Sequence, residues 1–91
     1  MSWESLTVRV TGIVQGVGYR MFAWQHARGL GCAGWVRNQP DGSVELVVQG
    51  PAGAVREFLR KLEEGPSGGR VEAVQTGPAP DEEHFEDFQI R

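Results

Sequence analysis

The apolar residues of this chain change their spacing in a fixed order, and that order restricts the possible folds more than any other feature. Apolar and polar residues alternate from Leu6 to Thr11, which predicts a half-buried strand that ends at Gly12. From Arg20 to Leu30 the apolar spacing becomes that of a helix, with a stop signal at Gly31. A glycine-containing loop over residues 13–19 joins the two patterns.

The same order recurs in the second half of the chain. Ala33–Asn38 and Ser43–Gln49 predict two strands, and the Pro-Asp-Gly turn between them predicts a hairpin. Pro51 suits the first turn of a second helix, which Gly65 and Pro66 would end. The apolar residues of this helix follow the i, i+3, i+4, i+7 spacing of an amphipathic helix: Val55, Phe58, Leu59 and Leu62.

Two further strands complete the pattern. Val71–Thr76 predicts a fourth strand, and Phe88 and Ile90 alternate with polar neighbours in a short final strand that can extend the sheet. The order strand, helix, strand, strand, helix, strand predicts a ferredoxin-like α+β sandwich, with two helices on one face of an antiparallel sheet. Ninety-one residues are enough for one domain, so we expect residues 1–91 to form a single unit.

Composition excludes several classes of protein. The single cysteine, Cys32, cannot form a disulfide within the chain, and no basic leader or apolar run of membrane-spanning length is present. These features predict a cytoplasmic protein without a membrane partner, and a monomer is the default. The net charge of −3 argues against a general nucleic-acid binder.

The charge is unevenly distributed along the chain. Residues 1–40 contain four basic residues and one acidic residue, whereas residues 41–91 contain five basic and eleven acidic residues. The first half is therefore positive and the second half negative. This asymmetry is compatible with an anion site in the first half, although a chance distribution of surface charge would look the same.

The loop before the first helix, within Ile13–Phe22, is a candidate anion site. The first N–H groups of a helix have no partners within the helix, and the helix dipole favours negative charge there. Gly16 and Gly18 allow unusual main-chain dihedrals and close approach to a ligand. Arg20 would add a permanently protonated guanidinium that matches phosphate oxygens. Without an anion, this arginine would oppose the helix dipole.

Spacing alone leaves two interpretations of this loop open: an anion site, or a tight turn followed by a solvated arginine. The familiar phosphate-binding patterns GxxxxGK[ST] and GxGxxG are both absent. The pattern of residue types therefore indicates the chemistry of the site without naming its ligand.

Two motifs together resemble those of the acylphosphatase family. They are the run from Gly12 to Arg20 (GIVQGVGYR) and the pair Gly34–Asn38 (GWVRN) and Asp41–Val44 (DGSV). The resemblance covers essentially the whole chain, including its length and the order of its elements. Gly29 and the GPSGG loop are local differences that affect no motif position.

The resemblance implies an enzyme that hydrolyses acyl phosphates to a carboxylate and phosphate. It implies that Arg20 and the main chain of the loop bind the phosphate, and that Asn38 positions a water molecule. The loop residues implied are Gln15, Gly16, Val17, Gly18 and Tyr19.

The chemistry of such a reaction fits the residues independently of the resemblance. The leaving group is a carboxylate, whose conjugate acid has a pKa of about 4, so no general acid is needed at neutral pH. Phosphoryl transfer then depends mainly on positioning and charge stabilisation. No cluster of metal-ligand residues is apparent, so we expect no metal and no other cofactor.

Two other classes of protein share part of this pattern. One is a non-catalytic module that binds phosphate or a similar anion, including domains of this type within larger proteins. The other is an RNA-binding sheet, which has the same element order but needs basic charge and aromatic residues in two strands, whereas here the second predicted strand offers only Trp35 and the first offers none. His26, His84 and Arg37 are expected to be structural or solvated, with Arg37 the best placed to attract an anion, and Trp35 is expected to pack or to form a pocket wall.

Overall fold

A computed structural model describes residues 2–79 and 83–91 of the chain. Five strands and two helices follow one another in the predicted order. Their bounds are β1 Trp3–Ile13, α1 Tyr19–Leu30, β2 Ala33–Asn38, β3 Val44–Pro51, α2 Ala52–Glu64, β4 Arg70–Pro78 and β5 Phe88–Ile90. The acidic run at residues 81–83 predicts a solvated turn, and this prediction falls partly outside the described residues.

The strands form one sheet in the order β4-β1-β3-β2-β5. The first four strands pair antiparallel, and β5 joins the free edge of β2 in a parallel direction. This arrangement confirms the predicted ferredoxin-like α+β fold and adds a short parallel strand to its antiparallel sheet. The parallel addition brings Ile90 beside Val36, near the end of β2 that leads to Asn38.

The main core lies between one face of the sheet and the two helices. Alternate residues of the strands point into it, as the period-2 pattern predicted, and α2 contributes Val55, Phe58 and Leu62. The fully buried strand residues are Val8, Val10, Val36, Val44, Leu46 and Val48. Phe58 packs edge-on against Phe88, with ring centroids 5.7 Å apart, and this contact anchors β5 to the core.

The opposite face of the sheet has a smaller apolar cluster around Trp35. Trp35 packs with Val47 and Ala79, and its ring lies beneath the guanidinium groups of Arg37 and Arg91 at 4.8 and 5.2 Å. Only 8% of Trp35 is exposed. The ring of Trp35 is therefore covered and offers no open platform for stacking a nucleic-acid base.

Element boundaries and one ion pair differ from the sequence predictions. β1 runs from Trp3 to Ile13, longer than its apolar alternation, because it pairs on both sides and hydrogen bonds extend it past the buried residues. The i, i+4 spacing in α2 predicts that Glu57 pairs with Lys61, whereas in the structure Glu57 pairs with Arg60 at 3.0 Å. Both pairings are possible on an exposed helix surface, where they differ by only a few tenths of a kcal/mol, about the size of each pair's contribution.

Among the described residues, no helix has the length and apolar content needed to cross a membrane.

Candidate active site

The loop between β1 and α1 turns sharply through two glycines. Gly16 and Gly18 have φ angles of 74° and 78°, in the left-handed region that disfavours residues with a Cβ atom. Gly18 is the N-cap of α1, and its carbonyl oxygen accepts the first helical hydrogen bond, from the N–H of Phe22 at 3.0 Å. The loop therefore ends where the positive end of the helix dipole begins.

The N–H groups of this turn remain available for a ligand. Within residues 2–79 and 83–91, the main-chain N–H groups of residues 15–21 donate to no protein acceptor. Adjacent free N–H groups in a left-handed turn form an anion-binding concavity. The first turn of α1 contains no acidic residue that could occupy this position from within the helix.

Gln15 belongs to the loop but its side chain serves a different purpose. Its Nε2 donates hydrogen bonds to the carbonyl oxygens of Gln39, at 2.7 Å, and Ser43, at 2.8 Å. These acceptors belong to the turn between β2 and β3. Both N–H hydrogens of the Gln15 amide are thus used to join the loop to the hairpin, which leaves its main chain as the part able to meet an anion.

Tyr19 likewise contributes to the loop through its main chain alone. Its ring is 1% exposed, and its hydroxyl donates a 2.8 Å hydrogen bond to the carbonyl oxygen of Leu62 in α2. Burial raises the pKa of the Tyr19 hydroxyl well above its ordinary value. The side chain therefore anchors the start of α1 in the core, and Val17 packs partly against the same core.

Arg20 points from the start of α1 into an open cavity of about 310 Å³. Its Nη1 donates a 3.3 Å hydrogen bond to the main-chain oxygen of Arg91, just after β5. The side chain is exposed and makes no ion pair with the acidic groups of the described residues. Its charge is therefore available to an incoming anion.

Asn38 lies at the end of β2 and lines the same cavity as Arg20. Its Oδ1 is buried and has no hydrogen-bond partner among the described residues. A buried acceptor without a partner costs about 1–3 kcal/mol, so such an atom is retained where a ligand or water uses it. The β2 pleat directs Val36 and Asn38 to the helix side of the sheet, which is also the side of Arg20.

The structure brings most of the predicted site residues together. Arg20, Asn38, Gly16, Gly18 and Tyr19 line one cavity. Gln15 and Val17 lie within the same loop but are not part of the cavity wall. The sequence analysis missed three wall residues, Val14, Met21 and Ile90. Only the position of Met21, off the apolar face of α1, could have indicated exposure.

Arg37 and Trp35 lie outside this cavity. Arg37 donates to Glu45 Oε1 at 2.9 and 3.1 Å and stacks on Trp35 on the far face of the sheet. The described residues contain no group of three or more histidine, cysteine or acidic side chains arranged to hold a metal. His26 packs against Phe22, with ring centroids 4.5 Å apart, which agrees with its expected structural role.

A ferredoxin-like domain with free N–H groups at a helix start, one arginine and one unpaired buried amide oxygen has the parts that a phosphate-binding protein needs. The acylphosphatase family model matches residues 6–90. The chain belongs to the acylphosphatase family, whose members include many proteins of closely similar sequence. It is accordingly a hydrolase, and family and fold together support acyl phosphate hydrolysis as its activity.

Individual members of the family match this chain over nearly their full length. The acylphosphatase of Salinibacter ruber is 43% identical over 88 residues, which cover 97% of this chain and 93% of the relative. That of Caldivirga maquilingensis is 47% identical over 85 residues, which cover 92% of this chain and 90% of the relative. A crystal structure of acylphosphatase from Bacillus subtilis matches with a TM-score of 0.92 at 31% identity and covers 99% of both chains.

Proposed function

We propose that the protein binds the phosphoryl group of an acyl phosphate in the loop before α1 and hydrolyses it with a water molecule held by Asn38. The observation that supports this most directly is the unpaired, buried Oδ1 of Asn38 in the same cavity as Arg20. An acceptor in that position can orient water without changing its own protonation state.

Phosphate binding is assigned to the main-chain N–H groups of Gln15, Gly16, Val17, Gly18 and Tyr19 together with Arg20. The N–H groups supply several fixed donors at the positive end of α1, and the guanidinium supplies a full charge and a planar fork. The described residues that line the cavity include no acid, so nothing in its wall opposes a dianion. Inorganic phosphate would occupy the same position after the reaction.

Water activation is assigned to Asn38. Its Oδ1 accepts one hydrogen from the water, which directs an oxygen lone pair towards phosphorus. The water oxygen forms a new P–O bond, and the bond between phosphorus and the bridging acyl oxygen breaks. One proton of the water moves to a phosphate oxygen, the other stays on the attacking oxygen, and the carboxylate departs. The acyl phosphate dianion and water therefore give RCOO⁻ and H₂PO₄⁻.

No group with a shifted pKa is needed for this reaction. A carboxylate leaves without protonation at neutral pH, since the pKa of its conjugate acid is about 4. The loop and Arg20 stabilise the charge that moves onto the phosphate oxygens, which is the main requirement of phosphoryl transfer. We therefore propose a reaction without a metal, by a single domain acting on a small-molecule substrate. From the sequence we further propose a monomer in the cytoplasm.

Single substitutions of the two proposed residues test this division of roles. Arg20→Ala is expected to weaken inorganic phosphate inhibition and to lower kcat/KM for acetyl phosphate at least about a hundredfold. Asn38→Ala is expected to lower kcat by a similar factor while phosphate still inhibits. Both are measured by phosphate release, with and without EDTA, which should have no effect.

Arg37→Ala is the matched control, because it removes a neighbouring arginine that points away from the cavity. Its kinetics should stay close to those of the unmodified protein. Equal loss of phosphate inhibition in the Arg20 and Asn38 variants would contradict the proposed roles. Phosphate binding without any turnover in the unmodified protein would instead indicate a non-catalytic anion-binding module.

A further inference from the structure

We propose that Gly69 is a positioning residue for the phosphate loop, residues 15–19, and that it acts through its close contacts with Ile13 and Val17. The role rests on the function proposed above, because it concerns how the main-chain N–H groups of that loop are held in place for phosphate. Gly69 is not part of the cavity wall. It is the last residue of the turn 65–69, which joins α2 to β4.

The phosphate loop is attached to the rest of the protein through alternate side chains. The amide of Gln15 donates hydrogen bonds to the β2–β3 turn, and the hydroxyl of Tyr19 donates one to α2. Val17 lies between them in the chain, is partly buried and packs against the core. The intervening residues, Gly16 and Gly18, have no side chain that could hold the loop. The positions of its N–H groups therefore depend on contacts made by the residues between the glycines.

Gly69 is brought to this loop by the end of the β1–β4 ladder. Ile13, the last residue of β1, pairs with Arg70, the first residue of β4. Gly69 directly precedes Arg70, and its N–H donates a 3.0 Å hydrogen bond to the carbonyl oxygen of Pro66. This bond closes the turn, so position 69 is held both by the turn and by the paired strands.

The space at position 69 is too small for a side chain. A Cβ atom there would lie 2.9 Å from the carbonyl oxygen of Ile13 and 3.2 Å from Cγ2 of Val17. Non-bonded carbon atoms in ordinary contact are about 3.5–4.0 Å apart, so a Cβ would push on both residues. Gly69 has no positive φ angle, so a left-handed conformation is not the reason for glycine here. What glycine permits at this position is the close approach of the turn to the phosphate loop.

The neighbouring glycine of the same turn does not make this contact. A Cβ atom at Gly68 would lie 4.0 Å from Cβ of Val17, which is an ordinary contact. Gly68 also has no positive φ angle. The tight approach to the phosphate loop is therefore a property of position 69, and position 68 provides a matched comparison.

A displaced loop should affect phosphate binding more than turnover. A methyl group at position 69 would move Ile13 and Val17 by a few tenths of an ångström, and Val17 carries one of the N–H groups assigned to phosphate. Hydrogen bonds weaken when a donor leaves its preferred distance and angle. Asn38 lies on β2, whose position is set by its pairing with β3 and β5. The water-positioning group should therefore stay in place while the phosphate donors shift.

Two substitutions alter the contact from opposite sides. Gly69→Ala overfills it, and Val17→Ala leaves a gap behind the loop. Each should raise the inhibition constant of inorganic phosphate, measured during acetyl phosphate hydrolysis by the intact protein, about three- to tenfold. The KM for acetyl phosphate should rise in parallel, while kcat should fall by less than about twofold.

Gly68→Ala is the matched control and should leave the inhibition constant of phosphate unchanged. Circular dichroism and the thermal midpoint establish that each variant is folded. In ¹H–¹⁵N NMR spectra, the amide signals of Gly16 and Gly18 should shift more in Gly69→Ala than in Gly68→Ala. If Gly69→Ala does not fold, the inhibition constant of Val17→Ala decides the question.

The outcomes separate this role from the function on which it rests. If inorganic phosphate does not inhibit the unmodified protein, the proposed phosphate site is wrong and the role of Gly69 falls with it. If phosphate inhibits the unmodified protein and the folded variants with equal constants, the function stands and Gly69 has no positioning role. A loss of stability or of kcat with an unchanged inhibition constant leads to the same conclusion. A raised inhibition constant with a nearly unchanged kcat supports the role.

Discussion

The Gln15 amide donates a 2.7 Å hydrogen bond to the carbonyl oxygen of Gln39, the residue that follows Asn38. The same nitrogen donates to the carbonyl oxygen of Ser43 at 2.8 Å. One side chain therefore connects the proposed phosphate loop with the strand end that presents the proposed water-positioning residue. Its two bonds join the two halves of the site, although these halves come from segments far apart in the sequence.

Replacing Gln15 by Glu tests this connection. A glutamate has nearly the same shape, but its carboxylate donates no hydrogen bond at neutral pH and would repel the two carbonyl oxygens. We expect a loss of about 1–3 kcal/mol in the free energy of unfolding and a lower kcat, with a smaller effect on phosphate inhibition. Urea unfolding and acetyl phosphate kinetics measure both. Gln25→Glu, on the exposed side of α1, is the control, and equal effects of the two substitutions would contradict the role of Gln15.

Gly18 and Gly29 should respond in opposite ways to alanine. Gly18 has φ 78°, so an alanine there would be strained by about 1–2 kcal/mol even though its Cβ would meet no atom within 4 Å. Gly29 lies inside α1, has no positive φ and has open space where a Cβ would lie, so Gly29→Ala should stabilise the protein by about 0.5–1 kcal/mol. Thermal or urea unfolding of the two variants gives the comparison. Stabilisation by Gly18→Ala would show that the left-handed turn is not needed.

The buried hydroxyl of Tyr19 predicts a late tyrosine titration. The chain has one tyrosine, so tyrosinate absorbance at 295 nm reports this residue alone. Because burial raises its pKa, we expect the folded protein to show little tyrosinate at pH 10, where an unfolded chain would be about half ionised. The raised pKa stabilises the folded state at and below the unfolded pKa, and this contribution is lost as the pH rises further. Half-ionisation near pH 10 without unfolding would contradict the burial.

Tyr19→Phe isolates the hydrogen bond to Leu62. The substitution leaves the buried carbonyl oxygen of Leu62 without this donor, and we expect it to lower the free energy of unfolding by about 1–3 kcal/mol. Urea unfolding measures the loss. A variant as stable as the original would mean that the hydroxyl contributes no net stability.

Cys32 should react slowly with thiol reagents while the protein is folded. It is 4% exposed, and burial raises the pKa of its thiol from 9.0 to about 11. At pH 8 the thiolate fraction is then about a hundredfold smaller than in the unfolded chain, before any effect of access. Comparing DTNB reaction rates with and without urea tests this. The same shift should make stability fall between pH 9 and pH 11, and the Cys32→Ala variant should lose part of that dependence.

Local sequence patterns predicted most of the fold and the centre of the candidate site. The change from period 2 to period 3.6 located both helices, and the glycines before Arg20 indicated a turn with free N–H groups. These features depend on residues close together in the chain. The resemblance of the two motifs added Asn38, whose unpaired oxygen then appeared in the cavity with Arg20.

Most of the features that the sequence did not predict depend on distant pairings. Ile90 reaches the cavity only because the short strand β5 pairs parallel with β2, and three residues hold too little pattern to specify a partner. The destination of Tyr19, and the choice for Trp35 between packing and a pocket wall, depend on which face of the sheet each neighbour occupies. The pairing of Glu57 with Arg60 instead of Lys61 reflects small energy differences between exposed rotamers.

The three residues of β5 are held to the sheet by pairing with β2 alone, so this strand is the part of the site that opens most easily. This edge strand brings Ile90 to the cavity, and the oxygen that Arg20 contacts follows it directly. Short edge strands open by local fluctuation at a lower free energy than the whole domain, and amide hydrogen exchange detects such opening. The fraction of molecules with a complete site therefore follows the fraying of this strand, so temperature or denaturant should lower activity before the bulk of the protein unfolds.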